Sequence, residues 1–234
     1  MKSKFKFLQT YFSREEKLLW LISTFTILIS FFLFDRENYL TLTASLFGAT
    51  SLIFCAKGNP FGQFLMILFS VLYGIISFTF AYYGEMITYL GMTAPMALFS
   101  FVSWLKNPYG GNRSEVKVHR LKRKEILWMM ILTVIVTSIF YFILDHFHTA
   151  NLIPSTISVT TSFAAVFLTF LRSPFYAAAY AANDMVLILL WLLAARHDPS
   201  YISVALCFVI FLCNDIYGFL NWSRMQKRQR VTVS

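Results

Sequence analysis

The apolar residues of this chain fall into eight long blocks with polar or charged residues between them. The blocks run over residues 18–34, 41–56, 61–80, 88–105, 126–144, 156–171, 175–194 and 201–220. A helix needs about 20 predominantly apolar residues, with a range near 17–25, to cross the hydrocarbon core of a bilayer. Each block therefore predicts one crossing, the second and sixth drawing on flanking residues to reach the length. A stretch such as ILWMMILTVIVTSIFYFIL is continuously apolar, unlike the segments of about 10 alternating residues that build a membrane barrel. The pattern predicts an all-α integral membrane protein of about eight transmembrane helices. Within the fourth block, Pro95 should loosen the turn before it, since proline has no N–H to donate and its ring crowds the carbonyl four residues back. A freed carbonyl there suits a gate, a site wall or a simple kink.

Composition supports this class. Of the 234 residues, 58% are hydrophobic and 13% charged, and the mean hydropathy is +0.63. A soluble domain has roughly 45–50% apolar and about 25% charged residues. Disorder is excluded, because a disordered chain needs low hydrophobicity. The net charge of +9 would suggest nucleic acid in a soluble chain. In a membrane chain it is explained by Lys and Arg gathering in cytoplasmic loops, so no nucleic-acid partner is expected. Cys55, Cys207 and Cys213 lie in apolar stretches without CxxC spacing and read as small core residues.

The connections carry the orientation signal. Lys2, Lys4, Lys6, Arg14 and Lys17 precede the first span, and Lys57 lies between the second and third. Lys106, Arg113, Lys117, Arg120, Lys122, Arg123 and Lys124 fill the loop after the fourth, Arg172 follows the sixth, and Arg224, Lys227, Arg228 and Arg230 follow the eighth. Eight spans put all of these on one side, and Asp35, Glu37, Glu85, Asp145 and Asp198, with Arg36 and Arg196, on the other. The positive-inside rule then places both termini in the cytoplasm, with the first span retained as an anchor.

A weak internal repeat is visible. The third span opens KGNPFGQF and the seventh LRSPFYAA; the fourth closes FSFVSWLK and the eighth YGFLNWSR. Spans two to four and six to eight then read as two triple-helix copies, with an extra N-terminal helix before them. The single linker helix between the copies makes the repeat parallel, a 3+1+3 plan. The implied divisions are 1–40 (N-terminus and extra helix), 41–105 (first copy), 106–155 (basic loop and linker helix), 156–223 (second copy) and 224–234 (tail). Parallel repeats are a transporter architecture with the site near the midplane between copies.

Polar residues inside apolar spans are the candidate chemistry. Asn183 and Asp184 lie near the centre of the seventh span, and a carboxylate there costs roughly 2.5–3.5 kcal/mol on insertion scales. Tyr176 and Tyr180 share the face of Asn183. In the eighth span Asn214 and Tyr217 share one face and Asp215 lies on the next. The first copy contributes Tyr73 and Thr93. Trp104 and Trp222 read as interfacial anchors. No HExxH, GxSxG, Walker or GxGxxG motif is present, and the histidines give no convincing metal spacing, so no enzyme activity, cofactor or metal is expected. An intramembrane aspartyl enzyme would need Asp184 and Asp215 in contact. A membrane sensor or assembly protein would need no continuous polar path.

The chain after residue 40 resembles the Pnu-type bacterial vitamin transporters. The resemblance rests on the 3+1+3 plan, on Tyr217-Gly218-Phe219-Leu220-Asn221-Trp222 as the closing aromatic-Gly-x-x-x-Trp pattern, and on Asn183 after the spaced aromatics Tyr176 and Tyr180. The family often has Trp seven and four residues before that Asn, where this chain has Tyr176 and Ala179. The resemblance implies a fold similar to the SWEET sugar transporters and facilitated uptake of the NAD precursor nicotinamide riboside through a bacterial plasma membrane. It also implies a possible homotrimer and a cytoplasmic riboside kinase that keeps uptake running by phosphorylating the product. Thiamine, riboflavin or a (deoxy)nucleoside are the alternative substrates. Asn and Tyr can hydrogen-bond an amide and a ribose, and Tyr faces with a carboxylate suit a fixed pyridinium cation.

Overall fold

The computed structural model describes residues 11–79, 82–149 and 151–231. Lys2, Lys4 and Lys6, residue 80 of the third block and the last three residues of the tail lie outside them. Eight helices are long and apolar enough to cross a membrane: α1 (Arg14–Phe34), α2 (Tyr39–Ala56), α3 (Pro60–Thr79), α4 (Tyr83–Lys106), α5 (Arg123–His146), α6 (Leu152–Phe170), α7 (Phe175–Ala195) and α8 (Ile202–Val231). Several ends lie a few residues from the sequence expectation, and two differ most. α4 begins five residues earlier than residue 88, which draws Glu85 into the helix. α8 runs on to Val231, its last turns carrying the basic tail. The departure from an all-helical chain among the described residues is a hairpin of β1 (Pro108–Tyr109) and β2 (Asn112–Val116) in the basic loop. Its two-residue turn, Gly110-Gly111, takes positive φ at both positions, as the twist of a tight hairpin requires.

Local sequence explains the helix starts and the kink. Ser13 and Glu16 form a capping box at α1: Ser13 Oγ accepts from the Glu16 N–H, and a Glu16 carboxylate oxygen accepts from the Ser13 N–H, so two orphan donors are satisfied. In α4 the turn Tyr89–Thr93, just before Pro95, is π-helical. That is the loosening the proline predicted, and Thr93 Oγ donates to the Thr88 carbonyl there at 3.3 Å.

Packing follows a regular plan. α2 lies on α3 and α3 on α4; α6 lies on α7 and α7 on α8. The two triplets meet where α4 packs on α6 and where α8 packs on α2. α1 sits against α2 and α8, and α5 packs mainly on α6. Leu144 is its one fully buried residue, so the rest of α5 has a surface suited to lipid.

The same hydrogen bonds occur twice at the junctions on the basic face. Trp104 Nε1 (α4) donates to the Thr169 carbonyl at 2.9 Å, and Ser103 Oγ donates to Phe170 O at 3.1 Å, both at the end of α6. Trp222 Nε1 (α8) donates to the Cys55 carbonyl at 2.8 Å, and Asn221 Nδ2 donates to Ala56 O at 2.8 Å, both at the end of α2. The two rings also touch, with centroids 5.3 Å apart. Neither tryptophan is an interfacial anchor; both have no exposed surface. An indole N–H in an apolar core needs an acceptor, and the last carbonyls of a helix are acceptors without an intrahelical donor.

The turns that follow match as well. Gly58 (φ 67°) and Arg172 (φ 57°) are both left-handed. Glycine suits this conformation at Gly58, where a Cβ would approach Met225 Cε to 2.8 Å. Arg172 adopts it at some cost, while its guanidinium donates to Ser103 Oγ at 2.7 Å and to Lys117 O at 3.3 Å. The basic loop ties the turns together: Val116 N–H donates to Gly58 O, and His119 N–H to Arg172 O. Gln229, on the tail of α8, accepts from Val118 N–H and donates to Val116 O.

Candidate functional site

The centre of the bundle is acidic. Among the described residues the buried ionisable carboxyl groups are Glu16, Glu85, Asp184 and Asp215, and no lysine or arginine is buried with them. Asp184 of α7 and Asp215 of α8 turn toward each other as a side-chain pair. They are 3% and 4% exposed. Apart from this pairing, Asp184 Oδ2 meets no donor. Two carboxyls in contact away from water cannot both ionise, so at least one of them holds a proton. The Tyr180 hydroxyl lies in the field of both aspartates and reaches Thr169. Tyr176 packs below it, edge-on to Tyr180, Trp104 and Trp222.

On the opposite face an aromatic group closes the bundle. Trp191 Nε1 donates to the Tyr73 hydroxyl at 2.6 Å. Tyr73 packs on Tyr89 at 4.3 Å between centroids and edge-on to Phe208, while Tyr82 and Tyr201 lie against Trp191. A void beside Tyr73 measures about 10 Å³, far below the 300–1,000 Å³ typical of small-molecule sites. The bundle is thus closed by aromatics on both sides of the aspartate pair.

The residues singled out in the sequence separate into three groups. Asp184, Asp215, Tyr180 and Tyr176 come together in the centre, with Tyr73 beyond them and Thr93 on the π-turn. Asn183 faces α6, where its Oδ1 accepts from Ser162 at 3.0 Å, from Thr161 at 2.9 Å and, at a longer 3.4 Å, from Ser158. Asn214 and Tyr217 turn away from the pair to α1. Asn214 Nδ2 donates to Ser23 Oγ at 3.0 Å, and the Tyr217 hydroxyl donates to Glu16 at 3.2 Å. Glu16 in turn holds Lys57 at 3.0 Å. These contacts stitch the extra helix to α8 and to the α2–α3 turn. Tyr217 and Lys57 also line an open cleft of about 390 Å³ on the basic face.

Sequence reasoning passed over Glu85 and the hydroxyl row of α6. Hydropathy places Glu85 in a connection, whereas α4 starts at Tyr83 and includes it. The row carried a readable signal, since Ser155, Ser158 and Ser162 recur at helical spacing and all are buried. Asn183→Ala removes the acceptor that the Ser158, Thr161 and Ser162 hydroxyls share. It is expected to destabilise the protein by about 1–3 kcal/mol, measured as denaturation in detergent; an unchanged transition would show that the α6–α7 contact does not depend on Asn183.

Comparison with known proteins decides the family. The model of the nicotinamide mononucleotide transporter family matches residues 38–224, most of the chain. This chain belongs to that family. The crystal structure of the vitamin B3 transporter PnuC is similar, with a TM-score of 0.81 at 26% sequence identity, covering 93% of this chain and 94% of that one. The nicotinamide riboside transporter PnuC of Neisseria mucosa is 29% identical over 214 residues, covering 89% of this chain and 81% of its own length. Its counterpart from Haemophilus influenzae is 21% identical over 193 residues, 82% of each chain. The chain is accordingly a multi-pass membrane transporter, and the aspartate pair belongs to a transport protein. α1 precedes the residues that the family model matches.

Proposed function

We propose that this protein takes up nicotinamide riboside by facilitated diffusion through a bacterial plasma membrane. The observation that carries the reading is the buried Asp184–Asp215 pair in a core that holds acids and no bases. A pair sharing one proton keeps one negative charge, which complements the single fixed positive charge of the pyridinium ring. Tyrosine faces nearby suit the same ring. The phosphate of a mononucleotide would meet carboxylates and no cation. The charge therefore favours the riboside over the mononucleotide for which the family model is named. Thiamine, also a cation, is the nearest alternative; riboflavin and the (deoxy)nucleosides lack the charge. The Asp184–Asp215 contact is also what an aspartyl hydrolase would require, but membership of a transporter family weighs against that use. A sensor or assembly protein would have no need of a polar line such as Glu85, Tyr89, Asp184, Tyr180 and Asp215.

In this reading residues 41–105 and 156–223 are two copies of one triple helix, with α5 as linker. The doubled Trp–carbonyl locks and the doubled turns support that division. Rocking of the copies about the central pair gives alternating access. The basic face, with both termini, is cytoplasmic, which agrees with its excess of Lys and Arg. A cytoplasmic kinase that phosphorylates the product keeps the flow inward, and the protein works as a homotrimer. Uptake of labelled nicotinamide riboside into proteoliposomes, with thiamine and uridine as competitors, tests the substrate. Saturable uptake displaced by unlabelled riboside and little affected by uridine is expected. Displacement by thiamine alone would transfer the assignment to thiamine, and no uptake of any of them would reject it.

A further inference from the structure

The end of α4 away from the basic face holds a carboxylate to which the central pair assigns no task. Glu85 is 2% exposed, and its Oε2 meets no hydrogen-bond donor. It is held there by a close approach of helices. At the neighbouring Gly84 a Cβ would come within 2.8 Å of Leu144 Cδ2 and 3.0 Å of Thr149 Cγ2, so the glycine lets α4 start close against the end of α5 without displacing those side chains. The side chain is thereby drawn under the aromatic group instead of reaching water.

Its surroundings connect it with the centre. The Ser158 hydroxyl of α6 reaches the Glu85 carboxylate and also lies 3.4 Å from Asn183 Oδ1. The Tyr73 hydroxyl of α3 lies in the field of Glu85, and the Tyr89 hydroxyl in the field of both Glu85 and Asp184. Tyr89 opens the π-turn, a helix defect found frequently at functional sites. A carboxylate kept inside a membrane span without a basic partner is costly and marks a functional position by default. Here its field reaches two tyrosine hydroxyls, one of which also feels Asp184.

We propose that Glu85 is the outer charge-selecting residue of the transport site, the first carboxylate to meet the pyridinium ring, beside the packed Tyr73–Tyr89 pair, before it passes to Asp184 and Asp215. This rests on the nicotinamide riboside reading. Glu85 then contributes to discrimination by charge more than to affinity for the ribose or the amide.

The test compares nicotinamide riboside with its 1,4-dihydro form, which has nearly the same outline and no fixed charge. Binding of each to the purified full-length protein is measured by calorimetry for the parent, Glu85→Gln and Glu85→Asp. The parent is expected to prefer the cation. Glu85→Gln should shrink that preference about tenfold, with the dihydro form bound as before, and Glu85→Asp should retain most of it. If Glu85→Gln weakens both forms equally, or neither, the charge-selecting role is overturned. Glu85→Thr, smaller and neutral, is judged by the same ratio where the Gln variant does not give monodisperse protein. A parent that binds neither form overturns the substrate reading and this proposal with it. A parent that prefers the cation with an indifferent Glu85→Gln overturns this proposal alone.

Discussion

Proteoliposomes carrying Asp184→Asn together with Asp215→Asn are expected to take up nicotinamide riboside about 100-fold more slowly than the parent, in keeping with the several kcal/mol at stake when a desolvated charge loses its partner. The single variants should lose much less, about three- to tenfold. The reason is the shared proton. When one aspartate becomes an amide, the other no longer has a carboxyl neighbour to repel it and can hold the negative charge alone. Charge at the centre is then conserved in each single variant, displaced by the width of the pair, and removed only in the double variant. Fold is not expected to suffer, because the amide keeps the size of the carboxyl and can hydrogen-bond across the pair. Uptake by the double variant at the parental rate would remove the pair from the transport site. A single variant as impaired as the double would contradict the sharing of one charge.

The second large effect concerns stability. Trp104→Ala and Trp222→Ala should each cost about 3–5 kcal/mol, the range seen when a buried tryptophan is truncated. In a bilayer this loss is mostly of packing, since lipid offers an apolar solvent to the unfolded helices as well. The more telling expectation is equality. The rings make matching hydrogen bonds, to Thr169 O and Cys55 O, and both are fully buried. The Trp→Phe variants separate the two contributions. They keep most of the packing and lose one hydrogen bond, and the carbonyl left behind still accepts a backbone N–H from Arg172 or Gly58, so each should cost only about 1 kcal/mol. Unfolding in mixed detergent micelles measures all four. A difference above roughly 2 kcal/mol between the two Ala variants would count against a reciprocal lock, and Phe variants as damaging as Ala would place the energy in the hydrogen bond.

Several parts of this architecture were readable before any coordinates. Continuous apolar runs are long enough to need a bilayer, so the number of spans follows from length and hydropathy alone. Pro95 announced the π-turn because a missing N–H acts locally. KGNPFGQF and LRSPFYAA, paired in the sequence as a weak repeat, each hold a left-handed residue, Gly58 and Arg172, a conformation the pairing itself does not announce. Span ends were less legible. The residues of 83–87 are mixed in polarity, so hydropathy alone begins α4 at residue 88 and puts Glu85 in a connection.

The orientation of polar side chains around each helix was beyond reach, for a plain reason. In a bundle with lipid outside, apolar residues cover every face, so the hydrophobic pattern does not tell which face points inward. Asn183, Asp184, Asn214, Asp215 and Tyr217 looked alike as polar intruders. Tertiary packing sorted them: Asp184 and Asp215 to one another, Asn183 to the hydroxyls of α6, Asn214 and Tyr217 to α1. Trp104 and Trp222 likewise matched the composition of an interface and became internal locks, because the carbonyls they needed belong to helices more than 60 residues away. The sequence by itself determined a membrane protein of eight helices with scarce, acidic charge inside. Only the tertiary structure decided which of those charges meet, since contact between α7 and α8 depends on helix rotation, and rotation is set by neighbours rather than by the helix's own residues.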